Sequence, residues 1–324
     1  MSDSIPKKHV EFGCILGTQY ATWTEAMEAA VRAEQLGYAS LWSADHLLST
    51  YGSIDGPRFE GYMVLAGWAH RTTMPLLGLS VGAVAFRNPA LTVKIVTTLD
   101  HMSGGRAVLG VGAGWHEPEH RHYGYSLGRS AGERIAWLDE AAGIMRGMLD
   151  GTRPSGSRYY SISDAPNSPS PLQKRLPIMV GARGERKILK LVARHGDIWN
   201  IPADVGIEGV KSRVAALARF CDELGRDSSA VDWILHCGLV VLRPTEDEAR
   251  EHLREIFREN DVTDGDLPDP GYYLGDAAGF IERLRTFADI GFRRFNISFM
   301  APFDYETMDA ITKIVKPALE AVVD

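Results

Sequence analysis

Short apolar runs alternate with amphipathic segments along nearly the whole chain. The first run, residues 10–16, has the length of a buried strand, and residues 22–36 repeat apolar positions at helical spacing before Gly37 ends the helix. Further strands are predicted at residues 39–42, 76–81, 106–111, 177–181, 197–200, 233–242 and 294–298. Further helices are predicted at residues 61–71, 89–102, 130–149, 185–195, 207–224, 246–259, 276–290 and 305–322.

This alternation of strands and helices predicts an α/β fold in which the strands pair in parallel. At 324 residues, the chain has the length of one (β/α)8 TIM barrel, and a doubly wound sheet is the alternative. No linker divides the sequence, so we expect a single TIM-barrel domain over residues 1–324 with insertions in its loops. The main insertion, at about residues 151–176, is polar, and a hairpin is expected at Tyr159 and Tyr160. Residues 261–270 are also irregular and are expected to form a mobile loop beside the site.

Composition restricts the class of protein. Apolar residues make up 45% of the chain, which is enough for a large core, and the net charge of −7 with dispersed basic residues argues against a nucleic-acid partner. Cys14, Cys221 and Cys237 are far apart and indicate free thiols in a reducing compartment. No apolar run approaches the ~20 residues that span a bilayer, and the polar N-terminus lacks a signal-peptide pattern. We therefore expect a cytoplasmic protein without a membrane partner.

One short motif resembles that of a hydrolase. Residues 78–82 match the G-x-S-x-G pattern, which requires a sharp turn directly into a helix so that the serine hydroxyl is exposed. Here the apolar run continues to Phe86, and the next helix begins only at Pro89. Ser80 is therefore predicted to end a buried strand, and a serine hydrolase is the weaker alternative.

A second motif resembles that of a zinc protease. Residues 116–120 match H-E-x-x-H, which requires both histidines on one face of a continuous helix. Pro118 lies between His116 and His120 and either breaks the helix or begins it with His116 outside. We predict no metal site, and a polar loop accounts for these histidines and for His122.

Function in a TIM barrel lies at the carboxyl ends of the strands. His46, with Asp45 beside it, follows the second strand and is a candidate donor to a bound ring or general acid, with a structural histidine as the alternative. Trp115 and Trp199 are either pocket walls or barrel packing. His236, within the seventh strand, is predicted to pack in the core. The other candidates at strand ends are Ser80, Val81, Gly82, Gly112, Gly114, Asn200, Asn296 and Ser298.

The end of the fifth strand has the composition of an anion-binding loop. Its residues are Gly181, Ala182, Arg183 and Gly184. Free N–H groups at the start of the helix that follows suit an anionic group such as phosphate, and an ordinary strand-to-helix turn is an equal alternative.

Together these residues resemble the bacterial luciferase-like superfamily, specifically its coenzyme F420-dependent branch. The resemblance extends from Gly13 to the last helix. It is most specific at residues 87–89, 99–106 and 112–115 and continues through Glu119, Tyr123 and Gly124. It implies a TIM barrel, usually dimeric, that binds a deazaflavin or a flavin.

The resemblance also implies roles for individual residues. Members of the superfamily carry a non-prolyl cis peptide after the third strand, which falls on Ser80 and Val81 and supports the cofactor ring. His46 matches the histidine of the deazaflavin enzymes, and residues 181–184 match the phosphate loop, with Ala182 in place of a commoner glycine. The sugar-phosphate dehydrogenases have an acid where this chain has Trp115, and a tryptophan where it has residues 47–50, which argues against glucose 6-phosphate as substrate.

These observations predict an oxidoreductase that transfers a hydride between coenzyme F420 and a small organic substrate. The predicted catalytic residues are His46 and Asp45. Trp115, Trp199 and Asn200 are predicted to line the substrate pocket. The residues predicted to bind the cofactor are His46 and the strand-end residues at 80–82, 112, 114 and 181–184. A homodimer is expected. The alternatives are an FMN-dependent luciferase-like monooxygenase and a cofactor-binding barrel without catalysis.

Overall fold

The computed structural model of the protein describes residues 9–156, 158–263 and 272–323. The strands in these ranges are β1 (Glu11–Leu16), β2 (Ser40–Ser43), β3 (Leu76–Leu79), β4 (Gly82–Ala83), β5 (Ala107–Gly112), β6 (Ile178–Gly181), β7 (Ile198–Pro202), β8 (Asp232–Leu242), β9 (Tyr273–Gly275) and β10 (Arg294–Phe299). The α-helices are α1 (Trp23–Gln35), α2 (Gly61–Arg71), α3 (Pro89–Ser103), α4 (Glu117–Tyr123), α5 (Ala131–Leu149), α6 (Lys187–His195), α7 (Gly206–Glu223), α8 (Glu246–Glu259), α9 (Ala277–Ala288), α10 (Tyr305–Ala310) and α11 (Lys316–Val322). A short π-helical segment, Ile311–Val315, joins α10 to α11.

Eight of these strands close into a parallel barrel. Their order is β10-β1-β2-β3-β5-β6-β7-β8, and β8 pairs with β10 to complete the ring. Strand β4 pairs with the end of β5 over two residues, and β9 pairs with the last three residues of β8. Helices lie between successive strands, so the predicted (β/α)8 TIM barrel is confirmed.

The barrel interior is filled by apolar side chains. One cluster takes a residue from each of six barrel strands, namely Ile15, Trp42, Val108, Met179, Ile198 and Ile234. A much larger apolar cluster packs the outer faces of the strands against the surrounding helices. Because side chains close the interior, a ligand can enter only where the strands end.

Most predicted elements agree with the structure to within one or two residues. Helices α2 and α8 have the predicted bounds. Strand β3, however, ends at Leu79 and not at Val81, because the chain turns there before the short strand β4. In the insertion, Tyr159 and Tyr160 lie within a turn closed by one antiparallel bridge, between Gly156 and Ile162.

Helix α4 agrees with one of the two alternatives for its segment, a helix that Pro118 begins with His116 outside, and not with a polar loop. Pro118 lies in the first turn of α4, where a proline is tolerated because that N–H has no helical acceptor. Strands β4 and β9 were not predicted. Most of the irregular stretch at residues 261–270 lies outside the described residues. None of the helices in the described ranges combines the length and apolarity required to cross a bilayer.

Candidate active site

A cavity of about 690 Å³ opens at the carboxyl end of the barrel. Residues that follow β2, β3, β5, β6 and β7 line it, together with His236 from within β8 and the first turns of α5. The structure brings the predicted site residues to this cavity, except for Gly82, Trp199, Asn296 and Ser298. Gly82 lies behind the wall, where it pairs with Val111 of β5.

The turn after β3 forms one wall of the cavity. The peptide between Ser80 and Val81 is cis, as the resemblance implied. The side chain of Val81 occupies the space above two glycines, since an added Cβ would lie 2.5 Å from its Cγ2 at Gly112 and 2.8 Å at Gly181. Both glycines are therefore required by the packing of Val81, which explains two of the small residues in the sequence motif.

Asp45 is held in an ion-pair network behind this turn. Its carboxylate accepts two hydrogen bonds from Arg87, at 2.8 and 2.9 Å, and one from the backbone N–H of Ala83 at 2.7 Å. Arg87 also pairs with Glu60 at 2.6 Å. Because both oxygens of this buried carboxylate already accept bonds, the geometry favours a structural role for Asp45 over the predicted catalytic one.

His46 is paired with a carboxylate that the sequence did not single out as a site residue. Its Nδ1 lies 3.0 and 3.1 Å from the two oxygens of Glu119, on α4. The Glu119 side chain is only 1% exposed and also accepts the backbone N–H groups of Leu47 and Leu48, at 2.7 and 3.0 Å. Burial raises the pKa of Glu119, but the His46 ring and the two backbone donors outweigh it and hold this pKa below its usual value. Glu119 is therefore an ionised acceptor.

Two aromatic rings also contact His46. The rings of Trp115 and His116 meet it edge to face, with centroids 5.5 and 5.9 Å away. Trp115 is exposed at the cavity, as expected for a pocket wall. Burial lowers the pKa of His116.

Trp199 is the predicted pocket residue that the structure places elsewhere. It is fully buried, packs against Trp233 and Phe292, and donates from Nε1 to the carbonyl of Ala182 at 3.3 Å. Its ring thus supports the loop after β6 from behind and does not line the cavity, because the side chains of a strand alternate between its two faces.

The structure also places His236 differently from the prediction that it packs in the core. His236 lines the cavity, where its Nε2 lies 2.8 Å from the Ser298 hydroxyl, and does not pack in the apolar core. Burial lowers the pKa of His236 to about 4, so the ring is neutral near pH 7. Nearby, Asn200 donates from Nδ2 to Ser80 at 3.2 Å, while its Oδ1 is buried without a protein partner. This wall therefore offers uncharged hydrogen-bonding groups.

The loop at residues 181–184 carries positive charge to the cavity rim. Helix α6 begins at Lys187, two residues later than predicted, and no side chain caps its N-terminus. Arg183 is exposed and pairs with Asp204 at 2.6 Å, and Arg134 on α5 reaches the carbonyl of Gly114 at 3.1 Å. Cations beside free backbone N–H groups are suited to an anionic group such as phosphate.

The histidines of the H-E-x-x-H motif do not face one another as metal ligands. His116 precedes α4, whereas His120 lies within it and is 3.1 Å from the carbonyl of Ser126 through Nδ1. In the part of the chain that the structure describes, no three His, Cys, Asp or Glu side chains are placed to share a metal ion.

Comparison with known proteins gives the family of this chain. The F420-dependent glucose-6-phosphate dehydrogenase of Kineococcus radiotolerans is 30% identical over 206 residues, which cover 63% of this chain and 60% of that enzyme. The chain thus aligns with less than two thirds of the length of this relative.

Two solved structures share the fold. An F420-dependent secondary alcohol dehydrogenase, in complex with an F420–acetone adduct, superposes with a TM-score of 0.81 at 20% identity over 96% of this chain and 99% of that one. The oxygenating constituent of 3,6-diketocamphane monooxygenase from Pseudomonas putida, in complex with FMN, has a TM-score of 0.73 at 16% identity over 95% and 98%. The sequence profile of the luciferase-like monooxygenase family matches residues 10–294, and this chain belongs to that family.

Proposed function

We propose that this protein is an oxidoreductase that transfers a hydride between coenzyme F420 and a small, uncharged organic substrate. The observation that carries the proposal is the position of His46, whose Nδ1 is held by Glu119 and whose ring lines the cavity beside the turn at Ser80 and Val81. A histidine held in this way can exchange a proton at the site where a hydride arrives or leaves.

The residues of the cavity fit a flat heterocycle that carries a phosphate. Val81 and the backbone around Gly112 and Gly114 would lie against one face of the ring. The loop at residues 181–184, with Arg183, would hold the phosphate. When bound, the deazaflavin ring supplies the hydride chemistry, and the protein supplies orientation and exclusion of water.

The uncharged wall opposite His46 supports the same assignment. The unpartnered Oδ1 of Asn200 can accept a hydrogen bond from a ring N–H, and the neutral pair of His236 and Ser298 can contact ring or substrate oxygens. Trp115 gives the substrate side an apolar wall. The charged side chains of the cavity wall are engaged within the protein, including Arg183, which pairs with Asp204, and Arg134, which donates to the carbonyl of Gly114. This favours an uncharged substrate.

The second candidate function is that of an FMN-dependent monooxygenase. It is favoured by the shared fold of the Pseudomonas putida monooxygenase, whose structure contains FMN. The difference between the two cofactors that decides their chemistry is at position 5 of the ring, where a deazaflavin has carbon and a flavin has nitrogen. The deazaflavin therefore transfers hydrides but does not activate dioxygen readily.

Titration of the purified protein with each cofactor separates these candidates. We expect micromolar or tighter binding of F420, followed by its absorbance or fluorescence, and weaker binding of FMN. Arg183→Gln should weaken F420 binding, whereas Arg194→Gln, a matched change at an exposed arginine on α6 that pairs with Asp139, should not. Tight FMN binding without detectable F420 binding would assign the protein to the monooxygenase class.

We further infer that the protein acts as a cytoplasmic homodimer. Helices α2 and α3 expose a group of large apolar side chains that a second copy can cover, namely Met63, Leu91 and Met102. Analytical ultracentrifugation gives the stoichiometry, and a monomer at micromolar concentration would contradict this part of the proposal.

A further inference from the structure

We propose that Glu119 is a positioning residue that keeps a proton on Nδ1 of His46, so that Nε2 is the nitrogen that exchanges protons with the substrate. The assignment of a catalytic proton to Nε2 rests on the proposed function. The position of the proton on the ring rests only on the contacts between the two side chains, and it can be measured without cofactor or substrate.

The Glu119 carboxylate is fixed by the segment that carries its partner. One of its oxygens, Oε1, accepts from the backbone N–H groups of Leu47 and Leu48, which directly follow His46. The other, Oε2, lies 3.0 Å from His46 Nδ1. The side chain is 1% exposed, so water cannot replace these donors. The carboxylate and the imidazole therefore keep their relative orientation.

The Glu119 carboxylate determines which nitrogen of the His46 ring carries the proton. An ionised carboxylate only accepts hydrogen bonds, so the imidazole must present an N–H at Nδ1. A neutral imidazole then carries its lone pair on Nε2. Unlike several buried ring nitrogens of this protein, Nε2 of His46 is not closed off, and the His46 side chain retains 19% exposure in the wall of the cavity.

The proton step follows from this arrangement. For an alcohol substrate, the O–H bond would break and an N–H bond would form at Nε2, while the electron pair of the C–H bond leaves as a hydride. Bound oxidised deazaflavin would accept this hydride, so that the alcohol is oxidised to a carbonyl compound and the cofactor is reduced. The resulting imidazolium remains paired with the Glu119 carboxylate, which offsets its positive charge. In the reverse direction, Nε2 returns the proton to the oxygen. Nδ1 cannot serve in this way because Glu119 covers it.

The substitution Glu119→Gln tests the assignment. The glutamine oxygen can still accept from Leu47 and Leu48, but its amide group then presents N–H donors to Nδ1 of His46. Nδ1 becomes the acceptor, and the proton of the neutral ring moves to Nε2. The matched control is Glu117→Gln, two residues earlier on α4, where an exposed carboxylate lies 3.8 Å from Arg121 and does not contact His46.

The measurement is nitrogen-15 NMR of histidine-labelled protein at a pH where His46 is neutral, with its signals assigned by their absence from His46→Ala. We expect the proton on Nδ1 in the wild type and in Glu117→Gln, and on Nε2 in Glu119→Gln. A wild-type ring protonated on Nε2 overturns the proposal, and this result does not depend on how well a variant folds.

Kinetics with F420 then test the catalytic part. We expect Glu119→Gln to lower kcat by about 10²–10⁴-fold with a smaller change in KM, because the amide holds the catalytic histidine in the wrong tautomer. A switched tautomer with wild-type kcat refutes the catalytic part. If the tautomer results are as expected but no hydride transfer with F420 occurs in any variant, the proposed function fails while the position of the proton stands.

Discussion

Replacing Asp45 tests whether this residue acts on the substrate or supports the cavity wall. In Asp45→Ala, Arg87 loses two hydrogen bonds and keeps its ion pair with Glu60 and its contact with the Tyr62 ring, and the N–H of Ala83 loses its acceptor. Asp45 and Arg87 are 1% and 14% exposed, so this is the removal of one partner from a buried ion pair. We expect a large loss of stability.

The magnitude follows from the two contacts. Removal of one partner of a buried ion pair costs about 3–5 kcal/mol, and the pair with Glu60 places this case near the lower end. An unpaired, partly buried N–H at Ala83 adds about 1 kcal/mol. The free energy of unfolding should therefore fall by about 4 kcal/mol. Asp45→Asn keeps one oxygen as acceptor for the N–H of Ala83, so it should lower the free energy of unfolding less than Asp45→Ala does.

Equilibrium unfolding in urea, followed by tryptophan fluorescence and by circular dichroism, measures this change when the two transitions coincide. The double variant, Asp45→Asn with Arg87→Met, should lose less free energy of unfolding than the two single variants lose in sum. The difference should be up to about 3 kcal/mol. If Asp45→Ala keeps the wild-type unfolding free energy but loses turnover, Asp45 acts on the chemistry and the structural account is wrong.

Three further predictions concern the histidines. His46→Ala should lower turnover by about 10²–10⁴-fold, the usual range for a general acid–base group, with little change in unfolding free energy; wild-type turnover would leave His46 a structural role. The folded-state pKa of His236, about 4, lies below the ordinary value of 6.5, so the unfolded chain binds more protons between these values and stability should fall as the pH falls from 6.5 to 4. In His236→Gln this fall, measured as unfolding free energy against pH, should be shallower, and an identical pH dependence would contradict the assignment. The purified protein should contain no stoichiometric zinc, and chelators should leave its turnover unchanged; one equivalent of zinc per chain by elemental analysis would overturn this expectation.

The sequence was informative about the fold because the strands of a parallel barrel are short continuous apolar runs. The sequence did not show where β3 ends, because the apolar run at residues 76–81 continues past the strand. Val81 is apolar like the residues of β3, although it lies in the turn after it. The sequence left helix α4 open because Pro118 breaks a helix when it lies in the interior but begins one when it lies in the first turn, and the structure places it in the first turn.

The residues of the candidate site could be predicted where a role follows from lying at the carboxyl end of a strand, as for His46 and Ser80. The role of Glu119 was not predictable, because it lies 73 residues from His46 in the sequence and becomes its partner only when the barrel closes. Trp199 and His236 both lie on strands that were predicted correctly. Their environments were predicted wrongly because the choice between the two faces of a strand depends on packing that a single sequence does not reveal.

The most direct test of the account is turnover of reduced F420 with a set of enones, nitroaromatics and ketones in the strict absence of dioxygen. We predict substrate-dependent oxidation of reduced F420 by the wild-type protein, with deuterium from the labelled cofactor appearing on carbon in the enone and ketone products, and loss of this activity in His46→Ala. Turnover that instead requires reduced FMN and dioxygen, and inserts an oxygen atom into the substrate, would contradict the account.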